Sequence, residues 1–142
     1  MAADAWVVHD DDKFKVGNKE IDRDNDTYEV RLYTSASNIA TTSVGDATTA
    51  TNEVSGNGYA AQALTGTWTQ AGPISTFDGN DVSFTASGGS IVARYAAVIN
   101  TTLTPDLVVA HCLLDNTPAD VTVTDGNSLN VNMNASGIFA KV

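Results

Sequence analysis

The sequence contains a single cysteine, Cys112, so no disulfide can form within the chain and a disulfide-stapled fold is excluded. Cys112 lies in the apolar run from Leu107 to Leu114, which predicts a buried position. A role as a nucleophile activated by the neighbouring His111 is disfavoured, because adjacent side chains of a strand point to opposite faces. We therefore interpret Cys112 as a core residue.

Long apolar runs and basic residues are also scarce. No run approaches the roughly 18 residues that a membrane-spanning helix needs. Lys and Arg number 7 against 17 Asp and Glu, which gives a formal net charge of −10. Such a surface repels nucleic-acid phosphates and anionic membranes, so we expect neither as a partner. The first residues carry no basic charge ahead of an apolar stretch, so no secretory signal is visible and synthesis in the cytoplasm is expected.

Residue patterns typical of catalysis are missing as well. The two histidines, His9 and His111, fit no metal-ligand or catalytic-triad spacing, and structural roles are expected for both. Glycines occupy hairpin positions rather than the strand-to-helix turns of phosphate-binding or dinucleotide-binding loops. The sequence also lacks a nucleophile elbow. It thus predicts a protein that is not an enzyme, with no catalytic residue, no cofactor-binding residue and no cofactor.

One acidic stretch, with Asp22, Asp24 and Asp26, resembles the opening of a calcium loop. A complete EF-hand loop would need glycine at its sixth position and glutamate at its twelfth, where this chain has Thr27 and Tyr33. We therefore predict an exposed turn and no metal-binding residue, with a looser calcium site as the alternative. The run of three aspartates at 10–12 is likewise interpreted as a solvated charge run between two strands.

The residues that are present favour short strands separated by tight turns. Thr, Val, Ser, Asn and Gly dominate, and stretches such as Thr27–Thr34 alternate between apolar and polar side chains, as half-buried strands do. Turn residues recur between these stretches. The predicted strands are Trp6–His9, Lys13–Val16, Thr27–Thr34, Ala63–Gln70, Ile74–Phe77, Asp81–Ala86, Ile91–Asn100, Leu107–Leu114, Asp120–Thr124, Ser128–Asn134 and Gly137–Val142.

Two segments, 91–99 and 107–114, are apolar on both faces. Strands of this kind are covered on both sides, so both are expected in central positions. The side chains predicted to be mostly buried there are Tyr95, Val98, Val109, Cys112 and Leu113.

Residues 35–61 show no strand periodicity, and their sizeable apolar residues are few. The stretch is predicted to be a long irregular loop, with at most a short helical turn near 47–53. A loop of this length in a compact domain is usually functional or disordered. In a protein that binds other subunits, it and the N-terminal segment 1–12 are candidates for an arm that lies over a neighbour.

The pattern as a whole predicts one all-β domain over 1–142. Many short strands at close spacing favour an antiparallel β-sandwich of the jelly-roll type, with the one long loop at 35–61.

Several stretches of the chain resemble a family of small virion structural proteins of tailed bacteriophages. They are GNKEID at 17–22, VRLYTS at 30–35, NEVSGNGY at 52–59, SGGSIVARY at 87–95, and DGNS at 125–128 leading to ASGIF at 135–139. The resemblance implies a jelly-roll-like decoration or cement protein, made in the bacterial host cytoplasm and bound to the outside of the phage head. It also implies the major capsid protein as partner and a homo-oligomer, either a dimer or a trimer.

Two other functions stay open at this point. Phage tail and head–tail connector subunits use similar small β-domains. A carbohydrate-binding or receptor-binding β-sandwich is the other alternative, because Trp6, Tyr59, Trp68 and Tyr95 could form an aromatic platform for sugar rings. Large aromatic side chains in a small domain are more often core or interface anchors.

Overall fold

The computed structural model describes residues 3–142, so the first two residues of the predicted N-terminal segment lie outside the described part. The fold is mostly β, with one short helix, and its paired strands are antiparallel. The elements are β1 (Val7–Val8), α1 (Asp10–Gly17), β2 (Tyr28–Tyr33), β3 (Gln62–Leu64), β4 (Gly66–Ala71), β5 (Ile74–Gly79), β6 (Val82–Thr85), β7 (Ile91–Ala93), β8 (Tyr95–Asn100), β9 (Leu107–Leu113), β10 (Val121–Val123), β11 (Ser128–Val131) and β12 (Phe139–Lys141).

Each predicted strand except one coincides with a strand of the structure. Two of them are divided, because the chain passes from one sheet to another at Thr65 and at Arg94. At Arg94 the chain leaves β7, which pairs with β10, and enters β8, which pairs with β2 and β9. The side chains that face the main core shift by one position there, from Ile91 and Ala93 to Ala96 and Val98. The sequence does not reveal this shift, because the stretch is apolar on both faces.

The prediction of a strand at Lys13–Val16 is wrong, as is the interpretation of residues 10–12 as a solvated run. These residues belong to α1, with His9 at its N-cap and three aspartates in its first turn. Carboxylates stabilise the first turn of a helix because the unpaired backbone N–H groups carry partial positive charge there. Asp12 is fully buried, whereas Asp10 and Asp11 are exposed, so only part of the acidic run faces solvent. Among residues 3–142, no helix has both the length and the apolar character that crossing a membrane requires.

The largest sheet has five strands in the order β1-β9-β8-β2-β3. The central positions predicted for residues 91–99 and 107–114 are confirmed for β8 and β9, which pair with each other and have neighbours on both sides. Val98, Val109 and Cys112 are buried as predicted. Leu113 and Tyr95 are only half-buried, because they pair with each other at the end of the ladder.

One face of this sheet packs against three smaller sheets, ordered β12-β5-β4, β10-β7 and β11-β6. Their inward side chains meet those of the five-stranded sheet in the main core. Val30 and Leu32 come from the large sheet, while Phe77 and Phe84 come from the smaller ones, and all four are essentially inaccessible to solvent. These smaller sheets are separate from one another and have two or three strands each.

The other face of the five-stranded sheet is covered by residues of the long loop. Ile39 and Ala47 are buried there against Tyr33, Ile99 and Val108. Residues 35–61 thus form a long irregular loop, as predicted, but part of this loop belongs to the core, which the sequence did not indicate. The helical turn predicted near 47–53 is reduced to a hydrogen-bonded turn at residues 47–49, in which the Thr49 N–H donates to the Asp46 carbonyl.

Backbone hydrogen bonds fasten this loop to the sheet. The Val108 N–H donates to the Gly45 carbonyl over 2.7 Å, and the Ala47 N–H donates to the Asp106 carbonyl over 2.8 Å. Further along, the Val54 N–H donates to the Leu32 carbonyl over 2.9 Å. The loop therefore extends the sheet at two places, which explains how a segment without strand periodicity becomes ordered.

Buried Tyr28 and half-buried Tyr59 give a test of how hydroxyl groups contribute to this fold. The Tyr59 hydroxyl accepts a hydrogen bond from the Leu32 N–H over 3.0 Å and donates one to Glu53 Oε1 over 2.8 Å. The Tyr28 hydroxyl is buried beside the Arg23 side chain but makes no hydrogen bond of regular geometry among residues 3–142. Tyr59→Phe should lower the free energy of unfolding by about 1–2 kcal/mol, since it leaves a backbone donor unpaired.

Tyr28→Phe removes a group that makes no hydrogen bond, so its free energy of unfolding should stay within about 0.5 kcal/mol of the wild-type value or rise slightly. Urea denaturation of both variants measures the difference. Equal losses in the two variants would contradict the assignment of these hydrogen bonds.

Candidate functional site at helix α1

The structure brings four ionisable side chains together under α1, although the sequence had indicated no site. His9 and Asp12 lie at the start of the helix, Arg23 follows it, and His111 comes from the central strand β9. His9 and Asp12 are fully buried, while Arg23 and His111 retain 8% and 7% exposure. We call these four residues the α1 cluster.

The two histidines form a direct hydrogen bond that ties the helix to the sheet. His9 Nε2 lies 2.9 Å from His111 Nδ1, and His9 Nδ1 lies 2.7 Å from the carbonyl oxygen of Val44. A carbonyl only accepts, so His9 Nδ1 carries a proton and donates it to Val44. In the neutral pair, His9 Nε2 is then the acceptor and His111 Nδ1 the donor. This chain of hydrogen bonds joins α1, the long loop and β9.

Burial disfavours the charged form of both rings. It lowers the pKa of His111 to about 4, with a smaller contribution from His9. Burial also lowers the pKa of His9, although the hydrogen bond to the Val44 carbonyl and the carboxylates of Asp10 and Asp12 oppose the shift. Both rings are therefore neutral near pH 7.

Asp12 and Arg23 form a buried, bidentate ion pair. Arg23 Nη1 donates to Asp12 Oδ1 over 2.9 Å, and Nη2 donates to Oδ2 over 2.6 Å. Burial lowers the pKa of Arg23, but the hydrogen bonds and charge of Asp12 outweigh it and raise the pKa above its ordinary value. A pair with this geometry is held together because each partner compensates the desolvated charge of the other.

Three aromatic rings surround the guanidinium group of Arg23. Its Cζ lies 5.8 Å from the ring centroid of Trp68, 5.3 Å from that of Phe77 and 5.0 Å from that of Phe139. These rings belong to the sheet β12-β5-β4, where Trp68 and Phe139 are both cross-strand neighbours of Phe77. The cation–π contacts therefore fix the helix against this sheet.

An open groove of roughly 640 Å³ lies between α1 and the sheet β12-β5-β4, and we call it the α1 groove. Its walls include Lys13 and Val16 of α1, Trp68 of β4, and Phe139 and Lys141 of β12. Arg23 and Asp12 also line it. The α1 cluster thus sets the distance between the two walls of the groove.

The approach of α1 to the long loop depends on Gly45. A Cβ atom at this position would lie 1.9 Å from Asp11 Oδ2 and 2.7 Å from Asp11 Cβ, which is too close for any larger residue without a shift. The Asp10 N–H also donates to the Thr42 carbonyl over 3.0 Å. The helix, the loop and the sheet therefore form one packed unit.

The acidic turn predicted at Asp22, Asp24 and Asp26 uses its carboxylates to hold neighbouring segments. Asp24 Oδ1 accepts from the Trp68 N–H over 2.9 Å, and Asp26 Oδ2 accepts from Asn100 Nδ2 over 2.7 Å. Asp22 and Asp24 are exposed as predicted, while Asp26 is half-buried. Within residues 3–142, no group of three or more His, Cys, Asp or Glu side chains is placed to hold a metal ion.

The aromatic residues suggested as a sugar platform are not brought together. Trp6 packs at the edge of the main core, and Trp68 lines the α1 groove. Tyr59 stacks on Phe84 with ring centroids 5.9 Å apart, and Tyr95 lies edge-on to His111. The four side chains therefore serve separate places in the fold.

Cys112 is buried in the main core as predicted, and burial raises the pKa of its thiol to about 12. The neighbouring residue His111 has the rings of His9 and Tyr95 edge-on to its own ring.

The lowered histidine pKa predicts a specific loss of stability in acid. An unfolded chain binds a proton at His111 near pH 6.5, whereas the folded chain does so only near pH 4. The contribution of His111 to the free energy of unfolding is therefore fully present above pH 6.5 and is lost as the pH falls towards 4. Each unit of pKa difference corresponds to about 1.4 kcal/mol, so the total loss is up to about 3 kcal/mol.

Denaturation at a series of pH values should show this loss, and His111→Asn should reduce it, because asparagine can donate at the same position without titrating. His9 is the hydrogen-bond partner of His111, so the difference between the two proteins reports on this pair of histidines. The same pH dependence in the variant and the wild type would contradict the assignment.

The sequence matches no known protein family, no curated protein and no solved structure.

Proposed function

We propose that this chain is a non-enzymatic virion structural protein of a tailed bacteriophage, which decorates the outside of the head and stabilises the shell of major capsid protein. The strand and turn patterns that resemble phage virion proteins support this proposal. The chain assembles as a homo-oligomer, and its sheets together form a β-sandwich of the jelly-roll type. Its net charge of −10 suits the exterior of a head better than the DNA-filled interior.

The α1 groove is the observation that carries the proposal. The ionisable residues of the α1 cluster are used inside the fold to fix two walls, and those walls leave Trp68 and Phe139 partly exposed. Outside the groove lining, Phe14 and Ile74 are also exposed, at 66% and 42%. Rigid surfaces that present aromatic side chains are typical of protein–protein interfaces.

The mechanism is mass action. A protein that binds the assembled shell but not free capsid subunits lowers the free energy of the shell by its binding free energy, and no residue performs chemistry. A tail or connector subunit is the alternative, since it would use the same kind of surface.

Co-sedimentation with heads stripped of the native protein tests this function. The purified protein should sediment with assembled heads, should raise their melting temperature, and should stay in solution with unassembled capsid subunits. Heads that neither bind the protein nor gain stability would exclude a decoration role.

A further inference from the structure

We propose that the α1 groove binds an extended acidic segment of a partner protein, in which carboxylates alternate with apolar side chains. The inference rests on the proposed function, because it names the part of a shell subunit that this chain would bind. It is carried by the composition of the two groove walls and by the charge distribution of the chain.

The rim of the α1 groove carries two lysines. Lys13 on α1 and Lys141 on β12 line the groove from opposite walls. Lys141 forms no ion pair among residues 3–142, and Lys13 has only a 3.6 Å contact with exposed Asp10. In a chain with 7 basic and 17 acidic residues, two such lysines on one groove form a local positive site.

The floor of the α1 groove is apolar. Val16, Trp68 and Phe139 are half-buried and supply apolar surface between the lysines. Arg23 and Asp12 also line the groove, but they neutralise each other in the buried ion pair. An occupant therefore meets an apolar floor with positive charge at both sides, which matches apolar side chains flanked by carboxylates.

Contacts inside the fold hold the two walls of the α1 groove in place. The floor rings lie against the guanidinium of Arg23, which is itself held by Asp12 on the opposite wall. Because both walls are fixed before binding, little conformational entropy is lost when a segment enters. The chain as a whole carries a charge of −10 and repels an acidic segment, so binding depends on the local positive charge of Lys13 and Lys141 at the groove.

The test compares wild-type protein with the variant Lys13→Glu/Lys141→Glu in binding to stripped heads. The control is Lys15→Glu, on the same helix but outside the groove lining. It changes the net charge by −2, which matches the single variant Lys13→Glu and is half the −4 of the double variant, so Lys13→Glu is measured beside it. The double variant should bind at least about tenfold more weakly, and Lys15→Glu should bind nearly as wild type. Wild-type binding should also weaken as salt is raised. Thermal melts confirm that each variant is folded.

A labelled peptide of alternating glutamate and leucine gives a binding test that does not need phage heads. It should bind the wild-type protein and lose affinity with the double variant, whereas a peptide of alternating lysine and leucine, which the acidic surface attracts, should lose no affinity with the double variant. If heads fail to bind but the peptide binds through both lysines, the decoration function falls and the groove assignment stands. If heads bind but the double variant matches the wild type, or weakens no more than Lys15→Glu, the groove assignment is overturned alone.

Discussion

Asp12→Ala should lower the free energy of unfolding by about 3–5 kcal/mol, which is the cost of leaving one partner of a buried ion pair uncompensated. Asp12 is fully buried, and both of its oxygens accept from Arg23. The variant leaves a guanidinium group that is 8% exposed with no carboxylate beside it. Thermal and urea denaturation measure the loss.

Two further variants identify the cause. Asp10→Ala removes an exposed aspartate from the same helical turn, and it should change stability by less than about 1 kcal/mol. Asp12→Ala combined with Arg23→Met should be more stable than Asp12→Ala alone, because the unpaired charge is gone and methionine can pack against the aromatic rings. If Asp12→Ala and Asp10→Ala melt alike, the ion pair does not hold α1 in place.

Ile39→Ala should lower the free energy of unfolding by about 2–5 kcal/mol, as expected for truncation of a fully buried aliphatic side chain. Ile39 is 0% exposed and packs between the long loop and the second face of the five-stranded sheet. Thr41→Ala is the matched control, because Thr41 is exposed in the same loop, and its variant should retain wild-type stability.

Deletion of residues 41–51 should destabilise the isolated protein for the same reason, since it removes Gly45, Ala47 and the carbonyl of Val44 that accepts from His9. Ile39→Ala with unchanged urea denaturation would show instead that the loop is peripheral to the fold.

The strands were predictable because alternation and apolar runs are local signals. Val30 and Leu32 alternate with polar neighbours and lie in the core, and β8 and β9 are apolar on both faces because both faces are covered. The division of the remaining strands into small separate sheets was not predictable, since it depends on where the chain passes from one sheet to another.

Helix α1 was missed because eight residues carry too little periodicity, and only one of them, Asp12, is buried. An apolar pattern could not mark a helix whose inner face is a carboxylate. The clue available in the sequence was the aspartate run itself, which favours a helix N-terminus.

The α1 cluster could not be read from the sequence because its members are distant. His9 and His111 are separated by 102 residues, and no spacing rule connects them. The long loop was misjudged for a related reason. Ile39 is a single apolar residue among small polar ones, and only the folded sheet provides the surface that buries it.

The copy number of this protein in purified phage particles tests the central claim most directly. Quantitative mass spectrometry of virions, with the major capsid protein as internal standard, gives the ratio of the two chains. A decoration protein repeats with the symmetry of the shell, so we expect a copy number comparable to that of the major capsid protein. A handful of copies per particle, or none, would contradict the decoration role, and a handful would indicate a tail or connector subunit instead.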